Sequence, residues 1–267
     1  SSRPPSGGSL SLDEALHPRP AEGWAAPAAH APSAAPYARS LKGRAPQGAG
    51  TDTTGGRRSD MGARVIKVEQ SGSSGDLIEA SPHYFAAINH SKERVELDLR
   101  SDEGRASFDA LLGAADVLTE NYKPGVMRSM GYDWESVHAR WPRLIMASVS
   151  GFGQDGPMSQ LPAMDVVIQA LSGVMSITGY KDRPGVGAGA QIADVSAGMM
   201  AANGVMAALW GRDGPGGTGE GTHVDIAMLD VMAVQLGGIT NRFKNGSLAQ
   251  PIREGSSSRS GAPFDTY

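Results

Sequence analysis

The most constraining feature of this chain is a change of texture near residue 60. Residues 1–60 contain no Val, Ile, Met or Phe, and Ala, Pro, Gly, Ser and Arg dominate. Such a segment cannot bury enough apolar surface to offset its conformational entropy, so residues 1–60 are expected to be disordered. At Met61 the phrase "MGARVIKVE" begins, and from there short β-branched runs alternate with helical segments. "RVIKV", "RVELDL", "DVLTE", "RLIMASVS" and "THVDIAM" read as strands. "DEGRASFDALLGAA", "DWESVHARW", residues 165–178, residues 192–210 and "LDVMAVQL" read as helices. This alternation predicts an α/β fold with a mostly parallel sheet and helices on both faces.

Residues 61–237 are expected to form that domain. Beyond Gly238 the periodicity fades into the polar "NGSLAQPIREGSSSRSGAP", until "FDTY" reads as the start of another strand. Residues 238–267 are therefore read as a linker and the opening of a second, truncated domain, with further sequence expected beyond Tyr267.

The formal net charge of −4 argues against a nucleic-acid partner. Cysteine is absent, which excludes disulfides, thiolate metal sites and a thiol nucleophile. The start lacks the apolar run of a secretory signal. The most apolar segment, "MMAANGVMAALWG", is interrupted by Asn203 and reads as too short to span a bilayer. These features predict a cytoplasmic protein without membrane association.

Motifs for common chemistries fail on context. "GFGQDG" at 151–156 matches G-x-G-x-x-G after a strand, but Pro157 and Pro162 delay the next helix, so no helix N-terminus stands ready for a pyrophosphate. "GPGGTG" at 214–219 precedes a strand instead of following one, and both phrases read as turns. The histidines, at 17, 30, 83, 90, 138 and 223, form no i, i+4 pair, so no metal site is expected. No G-x-S-x-G nucleophile elbow is present.

Three features carry chemical potential. Asp165 heads the otherwise uncharged "DVVIQALSGVMSITG", where it either caps a helix or acts as a nucleophile. "NHSKER" puts Asn89, Lys92 and Arg94 just before a strand, and "ENYKPGVMR" puts Asn121, Lys123 and Arg128 just after one. Ligands of open α/β sheets bind beyond the carboxyl ends of strands, so the second cluster is placed for phosphate groups; a solvated loop is the alternative.

Six phrases in register, "MGARVIKVE", "YFAAINHSKERVELDL", "ADVLTENYKPGVMRSMGYDWESV", "PRLIMASVSGFGQDGP", "MDVVIQALSGVMSITG" and "GTGEGTHVDIAMLD", resemble the class III coenzyme A transferases. The resemblance, to the formyl-CoA and carnitinyl-CoA transferase group, covers the chain from Met61 to about Leu236. It implies a Rossmann-like large domain, with the small domain missing here, and an interlocked homodimer at full length. It implies CoA transfer from an acyl-CoA thioester to a carboxylic acid acceptor, with coenzyme A entering as substrate and no metal. Asp165 matches the family's covalent nucleophile, which passes through an aspartyl-CoA thioester. Ile88, Lys92, Asn121, Tyr122 and Arg128 match segments that hold the adenosine diphosphate part of CoA.

Ser150 and Phe152 stand where formyl-CoA transferases carry lysine and tyrosine, which leaves the acyl specificity open. "EGSSSRSGAP" is the match to the family's glycine-rich lid, with Gly255 and Gly261 retained. Residues 1–60 lack the strand and helix with which family members open, as a leader read in the wrong frame would. Two other outcomes follow from the same resemblance: a 2-methylacyl-CoA racemase, pairing Asp165 with a histidine such as His138, and a non-catalytic remnant that binds CoA.

Overall fold

The computed structural model describes residues 40–42, 61–71, 81–247 and 252–256. Among the described residues the frame is a six-stranded sheet in the order β3-β2-β1-β4-β5-β6, with every neighbouring pair parallel. The strands are β1 (Ser40–Lys42), β2 (Val65–Gln70), β3 (Lys92–Leu97), β4 (Val117–Glu120), β5 (Ile145–Ser150) and β6 (His223–Ala227). The helices are α1 (Pro82–Asn89), α2 (Asp102–Ala114), α3 (Val126–Met130), α4 (Trp134–Arg140), α5 (Asp165–Leu171), α6 (Val174–Ile177), α7 (Ile192–Asp213), α8 (Met228–Gln235) and α9 (Gly237–Lys244).

Local sequence explains the clearest of these. Ser101 caps α2 by accepting from the Gly104 N–H at 3.0 Å, with Asp102 and Glu103 in the first turn, where the helix dipole favours acids. Asp133 caps α4 in the same way, accepting from the Ser136 N–H at 3.1 Å. All side chains of β4 and β5 are buried, as a sheet covered on both faces requires.

Alternation along the strands separates two cores. On one face Ile66, Val68, Val95, Leu97, Leu118 and Met146 pack against Phe108, Leu111 and Leu112 of α2 and Val137 of α4. On the other, Val117, Ile145, Ala147 and Val149 meet α7 through Ala193, Ala197, Ala201 and Val205, with Ile168 of α5 and Met232 of α8 beside them. The alanine stripe brings the α7 backbone close to the sheet, which fixes where the ends of this 22-residue helix emerge.

The structure departs from the sequence reading in several places. Strand β1 lies inside the segment expected to be disordered, pairing with β2 on one side and β4 on the other. Its three residues carry a single apolar side chain, Leu41, so no local periodicity announces a strand that is specified by its two neighbours. The helix expected over 165–178 is two, because Gly173 at φ +91° takes the left-handed conformation that ends α5 and opens α6. Helices α1 and α3 went unread, and α9 runs where the periodicity was read as fading. Helix α7 reaches Asp213 and is long and apolar enough to cross a membrane, contrary to the expectation; its alanine stripe is instead buried against the sheet. The expected "FDTY" strand lies outside the described residues.

Candidate active site

In this strand order the crossovers run one way from β1 to β2 and β3 and the other way from β1 to β4, β5 and β6. Ligands of such sheets bind where the order reverses, outside the carboxyl ends of the strands. The carboxyl end of β4 delivers Asn121 and Tyr122 to that place. Beside them a cavity of about 320 Å³ is lined by Val68, Glu69 and Gln70 at the end of β2, by Leu97, Leu99 and Arg100 at the end of β3, and by Tyr122 and Met130. The Gln70 side-chain amide donates to Asp98 at 2.8 Å and the Arg100 backbone N–H at 3.0 Å. Those hydrogen bonds, the Gln70 bond foremost, hold the Asp98 carboxyl below its usual range and fix the turn that presents Arg100. An aromatic face, apolar walls and a guanidinium are what an adenine ring and its phosphates would require.

Asp165 stands at the same edge of the sheet. After β5 the "GFGQDGP" turn folds back so tightly that a Cβ on Gly151 would lie 2.1 Å from that of Ala163. Asp165 then opens α5, half-buried, with its side chain turned to the start of α7. Oδ2 accepts from the backbone N–H of Ala193 at 2.8 Å and of Asp194 at 3.1 Å, and Oδ1 accepts from the side-chain amide of Gln169. The carboxylate thus caps a helix, though not its own: it sits on the first turn of α7, whose N–H groups lack intrahelical partners and whose dipole favours an anion. Near this end, the Tyr84 hydroxyl of α1 donates to Gln191. The surroundings are apolar, as expected, but Met164, Val166 and Leu171 are exposed among the described residues, so nothing described there closes the site to water.

A second group at this edge was missed by sequence reading. Glu120, 1% exposed, accepts from the Tyr122 N–H at 2.7 Å and interacts with Ser148. Burial pushes its pKa up to about 7, against the opposing effect of those hydrogen bonds. The Ser148 hydroxyl is 2.9 Å from His223 Nε2, and burial lowers the His223 pKa. The carboxyl that shapes the Asn121–Tyr122 turn is therefore titratable near neutrality.

The structure does not gather the five predicted CoA residues. Lys92 opens β3 opposite Val65, the first residue of β2, and so lies at the amino edge of the sheet, with Ile88 in the preceding helix. Tyr122 follows the opposite ends of the strands, roughly 15 Å away at 3.3 Å per residue. Lys92 Nζ donates to Asn89 Oδ1 at 3.0 Å. Arg128 lines a different cavity, of about 360 Å³, with Trp134, Ser148, His223 and Asp225, and sits near Glu135 at 3.5 Å and Asp133 at 4.0 Å. Arg100, which the sequence reading did not single out, also lies beyond a carboxyl end, that of β3.

His138 stacks on Trp134, with ring centroids 4.6 Å apart, and belongs to a helix on the sheet face opposite α5 and Asp165. That placement does not assemble the acid/base pair a racemase would need. Gly255 of the expected lid donates its N–H to Gly179 O at 2.9 Å, and Arg253 donates to the carbonyl oxygens of Ser176 and Tyr180; Gly261 lies outside the described residues. Among the described residues no group of His, Asp and Glu could hold a metal ion.

Fold and site together define a doubly wound α/β protein with a cavity at the carboxyl ends of its strands and a carboxylate held on a helix N-terminus. The chain belongs to CoA-transferase family III, whose model matches residues 58–267. It is 40% identical over 178 residues to the acetyl-CoA:oxalate CoA-transferase of Acetobacter aceti, a match covering 64% of this chain and 45% of that protein. It is 37% identical over 224 residues to the succinyl-CoA:mesaconate CoA-transferase of Haloarcula hispanica, covering 78% and 55%. The crystal structure of a CAIB/BAIF family protein from Brucella suis superimposes with a TM-score of 0.78 at 31% identity, over 85% of this chain and 61% of that one. The chain spans about half the length of the curated relatives it matches. The family match begins at residue 58, so β1 precedes it.

Proposed function

We propose that this chain carries the site at which a family III enzyme moves coenzyme A from an acyl-CoA to a carboxylic acid, with Asp165 as covalent nucleophile. The observation that carries the reading is the Asp165 carboxylate, fixed at both oxygens at the carboxyl edge of the sheet. A carboxylate oxygen attacks the thioester carbon; an O–C bond forms, the C–S bond breaks, and CoA leaves as thiolate. The thiolate then attacks Asp165 Cγ, forming a C–S bond as the anhydride C–O bond breaks, and the donor acid departs as its carboxylate. The acceptor carboxylate reverses both steps. Thioester bond energy is conserved throughout, provided that water is kept out.

The cavity beside Tyr122 and Arg100 is assigned to the adenosine diphosphate part of CoA. A second copy of the chain, in the interlocked homodimer that the resemblance implies, would cover Met164 and Val166. The relatives named above act on oxalate and mesaconate, so small dicarboxylates are the first acceptors to try. The test is intact-mass spectrometry after mixing with an acyl-CoA. We expect a CoA-sized adduct that hydroxylamine removes and Asp165→Ala abolishes. CoA binding without an adduct would make the protein a non-catalytic CoA binder.

A further inference from the structure

Glu120, Ser148 and His223 lie on the sheet face that α3 and α4 cover. Glu120 of β4 is in register with Ser148 of β5, and His223 of β6 is in register with Met146, two residues before Ser148 and on the same face. The contacts follow that placement. Glu120, 1% exposed, is hydrogen-bonded to the buried Ser148 hydroxyl, which lies 2.9 Å from His223 Nε2. At one end of this chain, Glu120 Oε2 accepts from the N–H of Tyr122, which lines the cavity of about 320 Å³. At the other, His223 stacks on Trp134, with ring centroids 5.6 Å apart, and lines the cavity of about 360 Å³. Three side chains thus join the two cavities through the protein interior.

The chain keeps its hydrogen bonds in either of two proton arrangements. With Glu120 ionised, the Ser148 hydroxyl donates to the carboxylate and accepts from the Nε2–H tautomer of neutral His223. When a proton is added to the imidazole from the larger cavity, the Nε2 proton passes to Ser148 Oγ as the Ser148 proton passes to Glu120. The carboxyl then donates to Ser148, Ser148 donates to Nε2, and His223 is neutral again with its proton on Nδ1. One proton has moved from solvent to Glu120. Burial lowers the His223 pKa against the raising effects of Asp225 and Glu135, which favours the neutral ring at both ends of the transfer. Burial disfavours the ionised form of Glu120, and Asp225 of β6 adds to that. The other charged groups nearby are Arg128 of α3, with Asp133 and Asp155 around the larger cavity, and Lys42 of β1, in register with Thr119.

We propose that Glu120 takes up a proton, through Ser148 and His223, when a phosphate-bearing nucleotide occupies the cavity beside Tyr122. The proposal rests on the assignment of that cavity to the adenosine diphosphate part of CoA and makes no use of Asp165. Phosphates seated beside the Tyr122 turn repel the carboxylate beneath it, and a proton on Glu120 removes the repulsion. Nucleotide binding and proton uptake therefore favour each other.

Calorimetric titration with coenzyme A at pH 7.5, in Pipes and in Tris buffer, counts the protons. Glu120 titrates near 7 in the unliganded protein. With the nucleotide beside it, wild type should take up about 0.5 proton per CoA more than Glu120→Gln does. The ligand's own phosphates titrate against both proteins, so the difference isolates Glu120. Between pH 6 and pH 9 wild type should lose about 10-fold more CoA affinity than Glu120→Gln. Equal uptake and parallel pH profiles would overturn the proposal. The imidazole nitrogen shifts of His223 test the path: as pH falls through about 7 the ring should switch from the Nε2–H to the Nδ1–H tautomer, and Ser148→Ala and Glu120→Gln should each abolish the switch. Should CoA fail to bind, the assignment of the cavity fails; a switch with both dependences still supports the chain, and a tautomer fixed from pH 6 to pH 9 defeats it.

Discussion

The two ends of helix α7 use the same physics for opposite purposes. At its N-terminus, on the carboxyl edge of the sheet, the free N–H groups hold a half-buried acid that we assign to chemistry. At its C-terminus, on the amino edge, Arg212 is 3% exposed and bonds to Asp116 at 2.9 Å, to the neighbouring Asp213, and to the Arg143 carbonyl at 2.8 Å, while Arg143 pairs with Asp213 at 2.7 Å. An anion at the start and cations at the end both suit the helix dipole. The difference lies in what surrounds them. Both clusters are satisfied by protein groups, but Arg212 is buried whereas Asp165 is half-buried beside the exposed Met164 and Val166. One end is an ion-pair cluster around a buried arginine; to the other we assign the reaction.

Substitutions can break that contrast. The largest effect is expected from Asp165→Asn, which should cut adduct formation by roughly 10³-fold or more while shifting the unfolding free energy by no more than about 1 kcal/mol. A comparable loss of stability would make the acid a structural cap.

Arg212→Met should do the reverse. Breaking a buried pair strands its partners and costs about 3–5 kcal/mol in urea unfolding, with acyl-CoA affinity unchanged in the folded fraction. Hydrogen bonding to Arg212 depresses the Asp213 pKa. That stability is present above the ordinary carboxylate pKa and lost as pH falls through the lowered value, so the acid-side loss should shrink in Arg212→Met.

Glu120 sharpens the comparison on the carboxyl edge. Its pKa is raised to about 7, so its contribution is full below the ordinary value of about 4.3 and declines as pH rises toward 7. Glu120→Gln should remove that decline, raising stability by roughly 2 kcal/mol at pH 8 relative to wild type and changing little at pH 4. Unfolding midpoints measured across this range decide the matter.

The smallest effects concern binding. Tyr122→Ala and Arg100→Ala should each weaken CoA binding by about 10-fold, and Lys92→Ala by less than about 2-fold, by calorimetry. A stronger Lys92 effect would contradict the division between the two edges.

That last contrast shows what the sequence could and could not yield. Strands rich in Val, Ile and Leu, and helices capped by Ser101 and Asp133, are local signals and were legible. So was Asp165, as an acid in an uncharged run. Its partners were not, since the Ala193 and Asp194 amides lie 28 and 29 residues away and have no side-chain signature. Strand β1 was illegible because three residues between two neighbours owe their conformation to pairing. Lys92 lies at the other edge of the sheet from Tyr122, which phrase matching could not reveal because it records order along the chain, whereas a segment before a parallel strand and a segment after one face opposite edges. Arg100 was within reach of the carboxyl-end rule, and Gly173 shows a single left-handed residue splitting a helix that apolar content alone would continue.

The account depends on Asp165 becoming joined to sulfur. Trapping with borohydride after mixing the protein with acyl-CoA reads this directly, because reduction of an aspartyl thioester leaves homoserine. Peptide mapping should then find residue 165 changed from aspartate to homoserine, only with acyl-CoA present. An unaltered aspartate at 165 under conditions where acyl-CoA is bound would contradict the account.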